Sequence, residues 1–194
     1  MTDDNMTIEY RIKDSIRRLK IVRKSRIYTS ERLGNYSSKW EMYLLIMSIL
    51  SSMLLVVSLA VKDETTSSKI ISGCFSMYTI ILQYFVSTLN YRERALKFDY
   101  HQLEVENMIQ DLQFLEIQNQ DLTNVQEQYK TIMEKYQILL QGQENHTDLD
   151  YKRTSLTDSK YLKDFSLDNC FVNMQPIIII TFMFLYWFFS GGQI

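Results

Sequence analysis

The chain has 194 residues, 46% of them hydrophobic and 13% aromatic, and a formal net charge of -2. That length suits one structural unit, divided between lipid-embedded and aqueous layers rather than between independent globules. Five glycines and one proline favour a mostly helical chain, and two cysteines, Cys74 and Cys170, both in or beside apolar stretches, exclude a disulfide framework and read as small buried hydrophobes.

The charges are unevenly placed. Residues 7–40 carry Arg11, Lys13, Arg17, Arg18, Lys20, Arg23, Lys24, Arg26, Arg32 and Lys39 against only Glu9, Asp14 and Glu31. Residues 1–40 therefore predict a basic cytoplasmic helix. It has two readings: attraction to anionic headgroups, at about 1 kcal/mol per residue near the surface, or a site for an anionic ligand such as a nucleotide. The polar N-terminus and the late start of the first apolar run, after residue 41, do not form a cleavable signal peptide.

Residues 42–61 and 70–89 are free of charge, each about the 20 residues needed to cross a hydrocarbon core. Buried helices of a soluble bundle would keep a charged outer face, and one charge at the bilayer centre costs roughly 2.5 to 3.5 kcal/mol. Residues 41–90 are therefore predicted as a transmembrane hairpin, joined by the short polar connection Lys62-Asp63-Glu64-Thr65-Thr66-Ser67-Ser68-Lys69. The N-terminal cluster and then Arg92, Arg94 and Lys97 flank its outer ends, and the positive-inside rule puts both ends in the cytoplasm.

Over residues 91–165, Leu96, Tyr100, Leu103, Met108, Leu112, Leu115, Leu122, Tyr129, Ile132, Tyr136 and Leu139 recur mostly at steps of three, four or seven, one helical seam with polar flanks. The run 119–123 interrupts it. Thr123-Asn124-Val125-Gln126 has the form of a capping box, so a second helix is expected from there to near Gly142, making an antiparallel cytoplasmic hairpin whose value is core packing or assembly. A third apolar run, 171–190, contains Pro176 and an aromatic block; it spans, re-enters or lies against the hairpin. The fold class expected is an all-α membrane protein: a transmembrane helical hairpin, a cytoplasmic coiled helical hairpin and a C-terminal apolar helix.

On the second span Ser72, Ser76, Thr79, Gln83, Ser87 and Asn90 follow at helical steps and share one uncharged polar face. In a symmetric ring of subunits such a face lines a water-filled path; alternatively it packs tightly against a neighbouring helix. Ser72, Ser76, Thr79, Gln83 and Ser87 are the candidate pore-lining residues. Ser48, Ser51, Ser52 and Ser58 on the first span suit helix packing better. Arg23, Lys24, Arg26, Arg32, Arg92 and Arg94 are candidates for an anionic ligand or headgroups. With two histidines and no phosphate loop, nucleophile elbow or metal-ligand spacing, no catalytic residue, cofactor or metal is predicted. A membrane-bound enzyme would have to draw on Glu144, His146, Asp148 and Asp150, which read instead as a capped turn.

Lys24-Ser25-Arg26 leading to Glu31-Arg32-Leu33, the tight hairpin, Arg94-Ala95-Leu96-Lys97-Phe98, and the turn from Glu144-Asn145-His146 to Asp150-Tyr151 follow in that order over most of residues 10–165. In this the chain resembles the SLATT family, the SMODS and SLOG-associating two-transmembrane effector domains of prokaryotic conflict systems. The resemblance implies a pore-forming effector, oligomeric in the cell inner membrane and a tetramer by expectation, that disrupts the membrane when a partner signals infection. It also implies partners: a nucleotidyltransferase or nucleic-acid-synthesising protein whose nucleotide or oligonucleotide product sets the gate. The third apolar segment departs from a two-span outline and suggests a helix that seals or plugs the pore. The competing expectation is a non-conducting adaptor anchored by its hairpin.

Overall fold

The computed structural model describes residues 8–60, 66–117, 122–141, 144, 148–155 and 164–190. They form six helices: α1 Ile8–Ala60, α2 Thr66–Leu89, α3 Tyr91–Ile117, α4 Leu122–Leu140, α5 Asp148–Ser155 and α6 Leu167–Phe189. No strand occurs among the described residues. The basic segment and the first span are thus one helix of 53 residues. Gly34 is its only glycine and it contains no proline, so nothing in its sequence forces a break where polarity changes. Of the polar connection, Thr66 to Lys69 already belong to α2; residues 61–65 lie outside the described residues, as do 118–121, Gly142 and His146.

Where one structural unit was expected, the chain divides into two compact ones. The first takes α1 up to Leu33, α3 from Glu93, α4 and α5. Within it α1 and α3 run antiparallel: Lys13 pairs with Glu116, Arg23 with Glu106, and the Ser30 hydroxyl donates to the Ala95 carbonyl. The Ser15 and Tyr129 hydroxyls, 2.9 Å apart, tie α4 to α1. The core joins Ile12, Ile16 and Leu19 of α1 to Val105, Ile109, Leu112 and Leu115 of α3 and Val125 and Ile132 of α4. Each such burial is worth about 1.5–3 kcal/mol.

The single seam expected along 96–139 is here two stripes. Met108, Leu112 and Leu115 enter the core, but Leu96, Tyr100 and Leu103 remain exposed, at 49%, 67% and 49%. On one helix, residue 103 lies far around the axis from 105 and 112. The buried stripe runs instead through Ala95, Phe98, His101 and Val105.

The second unit takes α1 from Gly34, α2 and α6. Ser51 beside Ser76 and Ser48 beside Gln83 set α1 and α2 antiparallel. Tyr78 with Gln175, Phe75 with Phe182, and Phe85 with Phe171 set α6 antiparallel to α2. All three helices are long and apolar enough to cross a membrane. Helix α6 has 23 residues, roughly 34 Å at 1.5 Å per residue. It runs unbroken through Pro176 and is capped by Ser166, whose side chain accepts from the Asn169 amide. Their outer faces, such as Leu59, Ile81, Tyr84 and Ile180, are bare apolar surface. Cys74 and Cys170, expected as buried small hydrophobes, are exposed; an apolar run in a membrane helix has a lipid-facing side, so its small residues need not point inward.

Between α2 and α3 stands a single non-helical residue, Asn90, with φ 47°. This is the left-handed region, which asparagine tolerates and β-branched residues do not. Asn90→Gly is expected to leave thermal stability in detergent within about 0.5 kcal/mol, whereas Asn90→Val should lower it by about 1–2 kcal/mol, read as the shift in unfolding midpoint.

Candidate functional site

Two polar clusters stand out, one in each unit. In the apolar unit the polar face of α2 is turned partly inward. Ser72 and Thr79 are buried, Ser76 is half-buried, and Gln83 and Ser87 are exposed. The Ser51 and Ser76 hydroxyls lie 2.7 Å apart, and the Gln83 Nε2 donates to Ser48 Oγ at 2.8 Å. Thr79 and Ser87 donate back along their own helix to the carbonyls of Phe75 and Tyr84. The buried Ser72 hydroxyl finds no hydrogen-bond partner. Within one chain, then, Ser76 and Gln83 of the stripe are in contact with serines of α1, and Ser87 is exposed without such a contact. Asn90 ends the helix rather than extending the stripe.

Sequence reasoning missed a second polar contact in this unit. Gln175, fully buried on α6, accepts from the Tyr78 hydroxyl at 3.0 Å. The signal was an amide inside an apolar run, which in lipid has to find a partner. Near one end, Tyr36 donates to Asp164, and Lys39 donates to Asn173 at 3.0 Å.

In the other unit the basic candidates are largely occupied by the chain itself. Arg23 pairs with Glu106 at 2.9 Å. Arg26 is 2% exposed, donates to the Glu144 carbonyl and lies 5.0 Å over the Phe98 ring. Arg32 clamps Asp150 through two nitrogens, Nε at 3.2 Å and Nη2 at 2.7 Å. Arg94 holds the Glu144 carboxylate through Nε and Nη2. Lys24, exposed, lies 5.8 Å over Tyr28. Arg92 is exposed and belongs to the apolar unit. Four of the six are spent on α3, α5 and Glu144, and Lys24 and Arg92 are at the surface.

The clamp on Asp150 is the centre of this cluster. Its carboxylate is fully buried and also faces the Thr29 hydroxyl at 3.0 Å, which lies as close to the Ser25 carbonyl. A hydroxyl has one proton to give, and the carboxylate is the stronger acceptor. Two-nitrogen geometry with a third donor is what makes a buried ion pair tolerable. In the same unit His101 is 2% exposed, with neither ring nitrogen in a well-formed hydrogen bond. Burial first, and the Arg26 charge second, push its pKa down to about 4, with the Leu139 backbone pulling weakly the other way. Burial also lowers the Arg26 pKa and raises that of Tyr136, each opposed by the charge of the other. Among the described residues no group of His, Cys, Asp and Glu is placed to hold a metal.

Three long apolar helices with polar side chains paired between them, and a separate helical unit closed by buried charge, define a multi-pass helical membrane protein. The family model of the SMODS and SLOG-associating 2TM effector domains, family 5, matches residues 8–192. The chain belongs to that family. The match takes in all three apolar helices. Neither the curated proteins nor the solved structures compared with the chain gave a match.

Two outcomes follow for the charge cluster. Asp150→Ala should strand Arg32 and cost about 3–5 kcal/mol of stability, measured as the unfolding midpoint in detergent, while replacing both partners should cost less. For His101, the unfolded imidazole takes its proton near pH 6.5 and the folded one only near 4. The unfolded chain therefore binds more protons in between, so stability is flat above about pH 6.5 and falls as pH drops towards 4. His101→Gln should flatten that window; an unchanged slope would mean that other groups set it.

Proposed function

We propose that the chain is the membrane-disrupting effector of a prokaryotic antiviral defence system, an oligomer that forms a pore when a partner's signal reaches it. Family membership supports the effector role. The observation that carries the pore reading is the line of hydroxyls and amides shared by α1 and α2, from Ser72 and Ser51 through Ser76 to Gln83 and Ser48. In the packed chain Ser51 pairs with Ser76 and Ser48 with Gln83, Ser72 is left without a hydrogen-bond partner, and the path is shut.

Sliding or parting the two helices would trade each contact for water, at little net cost if a file of water enters, since a typical hydrogen bond contributes only about 0.5–1.5 kcal/mol net. Opening is then a shift between two packings, biased by whatever binds one of them better. Thr79, Ser76 and Ser72 come to line the path only in the open packing; Gln83 and Ser87 already stand at its end. On this reading the effector sits in the cell inner membrane with its basic N-terminal segment in the cytoplasm, where a partner's nucleotide or oligonucleotide product would meet it. The role needs no bond-making chemistry from the chain. A non-conducting, membrane-anchored adaptor is the other reading, favoured by the same contacts if they never part.

Leakage of a small dye from liposomes holding the purified protein separates the two, with partner and candidate nucleotides supplied. Wild type should leak, and the Thr79→Leu, Gln83→Leu double variant should leak at least tenfold less, because two leucines seal the path with apolar surface. Silence from wild type under all conditions, or leakage indifferent to the double variant, would favour the adaptor.

A further inference from the structure

Two stripes on the surface of this unit face away from its core. On α3, Leu96, Tyr100, Leu103, Phe114 and Ile117 are exposed by 49–82%, and with the exposed Asn107 and Gln110 between them they follow the steps 4, 3, 4, 3, 4 and 3. That is an unbroken heptad seam of about three repeats on the face opposite the core. On α1, Tyr10, Asp14, Arg17, Ile21, Lys24 and Tyr28 follow the steps 4, 3, 4, 3 and 4, again on the side away from Ile12, Ile16 and Leu19. Tyr10 and Ile21 are exposed, and the Asp14 carboxylate is neutralised by Arg17 and Arg18.

The two seams differ in charge. Lys13, Lys20, Arg11 and Arg18 flank the one on α1, whereas Asp99, Glu104 and Asp111 flank the one on α3, whose single base, Lys97, is held by Glu93 at 2.9 Å. Parallel pairing of α3 with α3 of another copy would set Asp99 against Glu104, two like charges across a seam. Pairing of α1 with α1 would do the same with bases. Pairing of α1 with α3 sets opposite charges together.

We propose that copies of this chain assemble head to tail, the basic heptad face of α1 on one copy packing antiparallel against the acidic heptad face of α3 on the next. Copies related by rotation about an axis along the bundle keep the register that α1 and α3 have within one chain, where 13 stands beside 116 and 23 beside 106. In that register Lys24 meets Glu104, Arg17 meets Asp111 and Ile21 meets Asn107. Every copy offers both faces, so the contact is heterologous and closes into a ring when the rotation permits. Asn107 and Gln110 are polar positions within an otherwise apolar seam, the usual device for fixing register at some cost in stability. The contact deepens the assembly part of the function proposed above and does not depend on conduction.

The test uses the full chain in membranes, with Cys74→Ser and Cys170→Ser as background. Two differently tagged copies are co-expressed, one with Lys24→Cys and the other with Glu104→Cys, and then oxidised. A cross-link joining the two tags is expected, with none from either variant expressed alone. In mild detergent Glu104→Lys should dissolve the oligomer, and Lys24→Glu in the same chain should restore it. Both positions are exposed, so loss of fold is not the expected consequence of either change. Cross-links within one tag would overturn the proposal in favour of like-with-like pairing. No cross-link, or an oligomer indifferent to the charge exchange, would assign these faces to another occupant such as lipid headgroups or a partner protein. Liposome leakage measured on the same variants keeps the readings apart: leakage with no cross-link leaves the effector standing and removes this interface.

Discussion

A hydroxyl or amide in an apolar helix must find its partner inside the protein, because lipid supplies none. That constraint organises the membrane unit. Ser51 meets Ser76, Ser48 meets Gln83, Gln175 meets Tyr78, and Thr79 and Thr181 turn back onto their own helices. Three helices whose apolar surfaces alone would slide freely are thereby held in one register. Aromatic contacts, Trp40 with Phe171 and Phe75 with Phe182, fill the space between the polar pairs.

The other unit meets the same demand with charge. Arg32 and Arg26 are carried into the bundle by the helix that supplies its first core stripe, and Asp150 and the Glu144 carbonyl are brought to them by residues more than a hundred positions away. Such pairs contribute little net stability over an apolar core of equal volume, but they are costly to break on one side. They specify which packing is adopted more than how tightly it holds.

The membrane character of the chain was legible because about twenty consecutive residues without charge suit a bilayer and little else. The extent of α1 was less so: polarity changes near residue 41, but a change of solvent is not a helix break when neither proline nor a glycine turn is present. Periodicity failed on α3, where steps of three and four connect residues on opposite faces if the phase is allowed to slip between Leu103 and Met108. Buried and exposed seams of one helix therefore merged into one. The basic cluster was visible, but its occupancy was not, since the partners Asp150, Glu106 and Glu144 are set by tertiary packing. The serines of each span are visible in its own sequence, but their pairing across the hairpin needs the register that tertiary packing sets, Ser76 opposite Ser51 and Gln83 opposite Ser48.

The two units are interleaved along the chain: each takes one portion of α1 and is completed by residues made much later. The carboxylate that neutralises Arg32 is 118 residues downstream, which at about 5–20 residues per second is roughly 6–24 s of synthesis. Throughout that interval α1 and α2 can already be entering the bilayer while the guanidinium stays solvated and the helical unit stays open. Chain order thus allows α1 and α2 to insert before the helical unit closes, whereas α6 is made only after Asp150. Translation itself therefore sets the earliest moment at which the packed arrangement of either unit can exist.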